Sequence, residues 1–244
     1  MPAREKYLKA LGIPYWQAKP GWFNDDPKVQ GDEGGRPDEP MMSAAPPSSP
    51  SDSEATVLDW PSLRIKVSQC TVCQLHETRT QAVFGVGNEK ADWMIVGEAP
   101  GYDEDKQGEP FVGRAGLLLN EMLRALGLQR EEVFIANILK CRPPNNRNPS
   151  AQEALCCEPY LKQQIALVSP KIILSVGRVS AINLLKQPLD TKVGHLRGKV
   201  HYYGELAIPV VVVYHPAYLL RSPREKHKAW QDLLLAKQTL RACL

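Results

Sequence analysis

Four cysteines are spaced so that they could hold one metal centre. Cys70 and Cys73 form a C-x2-C pair, a spacing that brings two thiolates to one tight turn. Cys141 follows after 67 intervening residues and Cys157 after 15 more, so the fold must return to that turn to complete the set. Four thiolates suit either tetrahedral zinc or an iron–sulfur cluster. The all-cysteine pattern slightly favours the cluster, but the spacing leaves both open.

Three further side chains that could do chemistry each follow an apolar run. Glu98, Asn137 and His215 come directly after, or within two residues of, segments that predict buried strands. In an open α/β sheet, ligands bind at the carboxyl ends of the strands. A carboxylate, an amide and an imidazole are therefore expected at one rim. Each is weak evidence alone, since a lone histidine is usually structural; the joint placement indicates a site.

The elements that must position these residues alternate along the chain. Near-continuous Val/Ile/Leu runs are typical of strands covered on both faces, as in parallel sheets. Helical spacing separates the runs, which predicts a three-layer α/β/α domain with a central, mostly parallel four-stranded sheet. The predicted strands are 93–96, 133–136, 172–176 and 209–214, and the predicted helices are 114–126, 151–168, 178–186 and about 225–241.

Three regions follow one another along the 244 residues. Residues 20–61 are rich in Pro, Gly, Ser and acidic residues, which predicts a disordered linker ahead of a folded domain at 62–244. Residues 1–19 are too apolar for a solvated tail and could form a short amphipathic helix. This segment either docks on its own domain or binds in the groove of a partner.

Charge and composition restrict the partners and the compartment. The chain has no apolar run long enough to span a membrane, and its charged start lacks a secretory signal. Six cysteines in such a chain indicate metal ligands or free thiols in the cytoplasm. Residues 1–60 carry a net charge of −4 and residues 61–244 a net charge of +7. The basic body fits a nucleic-acid partner, although simple solubility explains it equally well.

Four sequence blocks resemble the family 4 uracil-DNA glycosylases, the iron–sulfur branch of that superfamily. They read CTVCQLHETRTQAVFGVG (70–87), IVGEAPGYDEDKQGEPFVGRAG (95–116), ANILKCRPPNNRNP (136–149) and HPAYLLR (215–221), in the order of the family. The resemblance spans about residues 66–241. It implies a [4Fe-4S] cluster on Cys70, Cys73, Cys141 and Cys157. Only the family's spacing selects Cys157 over its neighbour Cys156, which, like Cys243, is otherwise a spare thiol.

The resemblance also implies roles at the rim. Phe111 would stack on an extruded uracil, and Asn137 would present donor and acceptor to the uracil N3–H and O4. His215 would stabilise negative charge on uracil O2, helped by backbone N–H groups of the turn that holds Ala99 and Pro100. Without the resemblance, Phe111 is ordinary core and Asn137 a strand-end turn residue.

Acidic and basic residues near these motifs have expected roles of their own. Glu98 is the favoured residue to orient water or balance the sugar cation, with Glu104 and Asp105 as lesser candidates. Arg197 and Arg221 are expected to contact DNA phosphates, which position a protein without reading sequence.

The function predicted from these residues is a monofunctional uracil-DNA glycosylase. It would extrude uracil and hydrolyse the N-glycosidic bond, leaving an abasic site and starting base excision repair. The alternative is a catalytically inactive DNA-binding recruitment factor that holds a cluster or zinc. Residues 1–19 resemble the peptide with which the psi subunit of the bacterial clamp loader binds the chi subunit, so chi is the expected partner. A monomer is expected.

Overall fold

The computed structural model describes residues 58–242, which form one six-stranded sheet covered by helices. The predicted segment 1–19, nearly all of the predicted linker and Cys243 lie outside the described residues. The strands are β1 (Val86–Gly87), β2 (Trp93–Gly97), β3 (Phe134–Asn137), β4 (Ile172–Val176), β5 (Val200–Tyr203) and β6 (Ile208–Val213). The helices of this part are α1 (Trp60–Ser68), α2 (Leu75–Thr78), α3 (Tyr102–Gln107), α4 (Arg114–Leu126), α5 (Ala151–Val168), α6 (Arg178–Leu184), α7 (Val193–Leu196), α8 (Pro216–Arg221) and α9 (Lys226–Ala242).

The strands lie in the order β1-β3-β2-β4-β6-β5. The four inner strands are parallel, and the short β1 and β5 pair antiparallel at the two edges. All positions of β2, β3 and β4 are buried, which explains why their sequences are nearly continuous apolar runs. Gly97 pairs with Asn137 across β2 and β3, so the ends of these two strands lie side by side.

Alternate residues of each strand face two separate cores. On one face, Trp93 and Ile95 pack with the apolar sides of α4, α8 and α9. On the other face, Met94 and Val96 pack with α1, α5 and α6. This alternation follows from the period of two in a pleated strand. Two helical layers therefore enclose the sheet, and the predicted three-layer α/β/α class is confirmed.

Local signals set the ends of the long helices. Ser150 begins α5 with a capping box, in which its hydroxyl accepts from the Glu153 N–H while the Glu153 carboxylate accepts from the Ser150 N–H. Helix α4 ends at Gly127, whose φ of 85° is the left-handed conformation that glycine adopts readily. The predicted bounds of α4 and α5 are confirmed to the residue.

Several elements escaped the sequence prediction. The edge strands β1 and β5 were missed because they are two and four residues long and lie partly exposed, so they lack a long apolar run. The four predicted strands correspond to the four parallel strands β2, β3, β4 and β6, so the prediction of a four-stranded sheet was two edge strands short. Helix α1 was missed because the domain was expected to start at 62; Asp59 caps it, and Trp60 packs against Phe84 and Phe134.

No helix between residues 58 and 242 combines the length and the apolar character needed to cross a membrane.

Candidate active site

The carboxyl ends of β2, β3 and β6 open into one cavity of about 590 Å³. The turn after β2, the last residue of β3 and the segment after β6 form its inner wall, as expected at the strand ends of a parallel sheet. The cavity therefore brings together residues from three distant parts of the chain. The predicted site residues that line it are Glu98, Ala99, Pro100, Phe111, Asn137, His215 and Arg221.

Asn137 carries an unpaired polar atom into this cavity. Its side chain is 2% exposed, and its Oδ1 has no hydrogen-bond partner within the described part of the chain. A buried acceptor without a partner costs about 1–3 kcal/mol, so such atoms are rare outside functional sites. Gly97 makes room for the amide, since a Cβ there would lie 2.3 Å from Oδ1 and 2.6 Å from the Phe111 ring. The Asn137 backbone carbonyl accepts a hydrogen bond of 2.7 Å from Lys140 Nζ.

Phe111 is held in a backbone conformation that side chains rarely adopt. Its φ is 56°, and its ring is buried and stacked on His215, with 5.7 Å between the ring centroids and 29° between their planes. Gly116 lets the chain return closely past it, because a Cβ there would lie 1.8 Å from the Phe111 carbonyl oxygen. The loop thus presents an aromatic face to the cavity beside the imidazole.

His215 is neutral over the physiological pH range. Its Nδ1 accepts a hydrogen bond of 3.2 Å from the Ala217 N–H at the start of α8, so the ring proton lies on Nε2. Burial and the charge of Arg221 lower the pKa of His215 to about 4, against a smaller opposing effect of Glu104. The cavity wall therefore carries a neutral N–H donor that remains available in mild acid.

The acidic residues of the 98–105 stretch have different environments. Burial raises the pKa of Glu98 at the cavity wall, and the charge of Arg178 opposes this. The Glu104 carboxylate also borders the cavity but accepts hydrogen bonds from three backbone N–H groups, those of Gly101, Val112 and Gly113. Asp105 is buried and accepts from the Thr80 N–H, so it ties α3 to the segment after α2. Of the three, only Glu98 has no such anchoring role in the described residues.

The two arginines expected at phosphates differ. Arg221 is exposed at the cavity edge, where a phosphate could reach it. Arg197 does not line the cavity: its guanidinium donates to both carboxylate oxygens of the fully buried Asp232, at 2.9 and 3.0 Å, and to the Lys228 carbonyl. A buried carboxylate needs a paired charge, so Arg197 fixes the segment before β5 to α9. The assignment of Arg197 to phosphate is corrected accordingly.

The four candidate ligands come from three segments of the chain. Cys141 and Cys157 are buried in one small apolar cluster, with Cys73 packed against it. Burial raises the pKa of Cys141 and of Cys157, the latter to about 12; Cys73 adds to both shifts through its charge, and Cys70 adds to that of Cys141. Two buried thiols and two partly buried ones would be costly to ionise without a cation among them, and an all-thiolate donor set fits an iron–sulfur cluster or zinc. Between residues 58 and 242, no three His, Cys, Asp or Glu side chains lie close enough to surround a single metal ion.

Basic groups adjoin these thiols. Arg79 Nη1 donates to Cys141 Sγ at 2.9 Å. Burial lowers the pKa of Lys140 to about 7, against an opposing effect of the nearby Cys157 and Cys141. Cys156, the alternative to Cys157, is half-exposed on α5, although it lies near enough to Cys73 to raise the pKa of that thiol slightly. The deeper burial of Cys157 favours it as the ligand.

The sequence patterns did not identify the buried polar residues Lys140 and Gln164, which are linked by hydrogen bonds to the backbone of Asn137. Lys140 Nζ donates to Gln164 Oε1 as well as to Asn137, and Gln164 Nε2 donates to the Phe84 carbonyl. Lys140 is 1% exposed. Its position next to the apolar run Ile138-Leu139 was the available signal, since a lysine within such a run requires buried partners.

Comparisons with known proteins agree with the geometry. The family model described as the Uracil DNA glycosylase superfamily matches residues 84–234. The type-4 uracil-DNA glycosylase of Archaeoglobus fulgidus is 46% identical over 172 residues, which are 68% of this chain and 86% of that protein. The protein of the same name from Pyrobaculum aerophilum is 43% identical over 73% of this chain and 93% of its own length. That from Thermotoga maritima is 42% identical over 64% and 81%, respectively.

Proposed function

Since the chain belongs to the uracil DNA glycosylase superfamily, and to its type-4 enzymes, we propose that the cavity removes uracil from DNA by hydrolysing the N-glycosidic bond. The observation that carries this proposal is the buried Oδ1 of Asn137, which has no partner among residues 58–242 and lies in a cavity with a neutral imidazole and an aromatic face. Uracil within a duplex is out of reach, so the nucleotide must first be extruded into the cavity. The product is an abasic site, where base excision repair begins.

Asn137 selects the base. Its Oδ1 accepts from the uracil N3–H and its Nδ2 donates to O4, which gives the orphaned acceptor a partner. Cytosine carries an acceptor at N3 and a donor at C4, so the fixed amide would oppose it at both positions. The close fit of Asn137 and Phe111 against Gly97 leaves the amide little freedom to turn.

His215 lowers the barrier for bond cleavage. As the bond breaks, uracil leaves as an anion and the sugar acquires positive charge. The Nε2–H of a neutral imidazole donates to uracil O2, where the negative charge develops, and one such donor is typically worth about 3 kcal/mol. The low pKa of His215 keeps this donor neutral, so it stabilises the anion without first transferring a proton.

Glu98 is proposed to act on the sugar side. Its carboxylate lies on the cavity wall after β2, where it could orient the attacking water or balance the sugar cation. Ala99 and Pro100 complete this wall, and the exposed Arg221 at the edge is proposed to contact a phosphate. No lysine is assigned a nucleophilic role, in keeping with a monofunctional glycosylase.

Cys70, Cys73, Cys141 and Cys157 are proposed to bind a [4Fe-4S] cluster. The donor set and the packed thiols support this, and the Arg79 guanidinium supplies positive charge beside them. When bound, the cluster would serve as a cross-link that joins the segment after α1 to the segment after β3 and to α5. The hydrolysis itself needs no redox step.

Release of uracil tests the proposed function. The purified protein is incubated with single-stranded and duplex oligonucleotides containing one uracil, and free uracil is measured by mass spectrometry. The wild type is expected to release one uracil per strand, and His215→Ala is expected to bind the same DNA but to release it about 100-fold more slowly. His227→Ala is the matched control, because His227 is exposed on α9. Tight binding without any release by the wild type would instead support a recruitment factor.

The remaining proposals concern partners and compartment. Residues 1–19 are proposed to bind the clamp-loader chi subunit, the enzyme to act as a monomer, and the cytoplasm to be its compartment. A pull-down with the residue 1–19 peptide tests the first; failure to retain chi would refute it.

A further inference from the structure

The loop that carries Phe111 holds a strained residue at a functional position. Phe111 has a φ of 56°, yet it is neither a glycine nor an asparagine, the residues that tolerate this region best. Such a conformation persists only when the surroundings determine it. The groups that hold the loop therefore decide where the aromatic ring lies.

One side of the loop is held by Arg130. Its Nη1 donates to the Phe111 carbonyl at 3.4 Å and to Asn120 Oδ1 at 3.2 Å, while its Nη2 donates to the Pro110 carbonyl. The planar guanidinium can bind two successive carbonyls at once, which an ammonium group cannot do with fixed geometry. Arg130 lies in the turn before β3, far from the loop in sequence.

The opposite side of the loop is held by Glu104. Its Oε1 accepts from the N–H groups of Val112 and Gly113, and its Oε2 accepts from Gly101 N–H at 3.1 Å. Hence the Arg130 guanidinium binds the carbonyls of Pro110 and Phe111. The Glu104 carboxylate binds the N–H groups of the next two residues, Val112 and Gly113. Together the two charges fix the peptide units on both sides of the strained residue.

We propose that Arg130 is a positioning residue, which acts with Glu104 to hold the Phe111 ring where an extruded base stacks. Arg130 is not among the described residues that line the cavity, so it would affect the reaction through the position of the loop and not by contact with the base. The proposal rests on the proposed function, since it names how that same cavity is shaped. Uracil release would then require the two charged groups that hold the loop, in addition to the residues that line the cavity.

Substitution of Arg130 tests the proposal. Arg130→Met removes every donor at similar length, and Arg130→Lys retains the charge but not the paired donors. Arg124→Met is the matched control, because Arg124 is exposed and, within residues 58–242, its side chain pairs only with Glu121 on the surface of α4. The measured quantities are the single-turnover rate of uracil release, the affinity for uracil-free DNA of the same sequence, and the melting temperature.

Arg130→Met is expected to slow uracil release roughly 10- to 100-fold, the loss typical of a small misplacement in an active site. Affinity for uracil-free DNA should stay unchanged, and Arg130→Lys should recover only part of the rate. Arg124→Met should match the wild type.

A double-variant cycle with Phe111→Ala separates positioning from general destabilisation. If Arg130 acts through Phe111, the double variant releases uracil within about twofold of Phe111→Ala alone. The proposal would be overturned if the rate of uracil release fell in the double variant by the product of the two single-variant factors. It would also be overturned if Arg130→Met released uracil as fast as the wild type. Should Arg130→Met not fold, the same cycle with Arg130→Lys decides by the same criterion. A wild type that releases no uracil would refute the proposed function instead, so the two failures are distinguishable.

Discussion

Substitution of Asn137 by alanine is expected to separate stability from activity. The Asn137 side chain is buried, but its Oδ1 has no partner in the described structure, so the folded protein bears the cost of a desolvated acceptor. That cost is about 1–3 kcal/mol. The side chain also borders an open cavity, so its truncation leaves no sealed void. Asn137→Ala should therefore leave the free energy of unfolding unchanged or raise it by up to about 2 kcal/mol.

Activity should change in the opposite direction. The variant loses both hydrogen bonds to the uracil edge, a loss of about 3 kcal/mol in transition-state stabilisation. Since each 1.36 kcal/mol corresponds to a factor of ten, kcat/KM should fall by about 100-fold. Discrimination against cytosine should weaken at the same time.

The matched control is Gln164→Ala, a second buried amide. Both polar atoms of the Gln164 side chain are bonded, to Lys140 Nζ at 2.6 Å and to the Phe84 carbonyl at 2.8 Å. Its truncation leaves the Phe84 carbonyl without this bond and the buried Lys140 Nζ with only its bond to the Asn137 carbonyl among the described residues, which should cost about 2–4 kcal/mol and lower the Tm by at least about 4 °C. Thermal unfolding and uracil release are measured for both variants. A role of Asn137 in stability instead of base binding would follow if Asn137→Ala destabilised the protein as much as Gln164→Ala and its kcat/KM stayed within about threefold of the wild type.

Three other predictions address the imidazole, the glycine beneath the site and the cysteines. Because the pKa of His215 is lowered to about 4, and the working form is neutral, kcat/KM should not fall as the pH drops from 8 through 6.5. The loss of activity due to His215 should appear only near pH 4, where protonation of Nδ1 breaks its hydrogen bond with the Ala217 N–H. The pH profile is recorded in Glu98→Gln, which removes the titration of the Glu98 carboxyl from the curve. A midpoint near pH 6.5 would contradict this prediction. Gly97→Ala should reduce uracil release at least about 100-fold, because the added Cβ would lie 2.3 Å from Asn137 Oδ1. Gly194→Ala, with nothing within 4 Å, should be silent, and equal rates for the two variants would refute the argument. The proposed [4Fe-4S] cluster would give the purified protein a brown colour and bound iron. Cys157→Ser should have neither, whereas Cys156→Ser should have both; iron loss in Cys156→Ser alone would reverse the assignment.

Much of the fold could be predicted because its buried elements leave clear patterns. The runs that form β2, β3, β4 and β6 are apolar on both faces, so their sequences lack the alternation of exposed strands. The edge strands β1 and β5 are short and partly exposed, and the pairing that defines them comes from the neighbouring strand. Such elements depend on tertiary contacts that no local pattern records.

The site divides in the same way. Side chains placed by the strand ends, such as Asn137 and His215, could be located from the sheet alone. The sequence could not show that Arg197 pairs with Asp232, because that contact joins a turn to a helix 35 residues away. The supports of Phe111 were likewise invisible, since Arg130 and Glu104 come from separate segments on either side of the loop.

The central claim is that one cavity, lined by Asn137, Phe111 and His215, both binds the extruded uracil and stabilises it as it leaves. A crystal structure of His215→Ala bound to an oligonucleotide with a single uracil tests this most directly. We expect the uracil to lie outside the base stack, with its ring against Phe111 and its N3 about 2.7–3.2 Å from Asn137 Oδ1. A uracil bound elsewhere on the protein, with the Asn137 amide still facing an empty cavity, would contradict it.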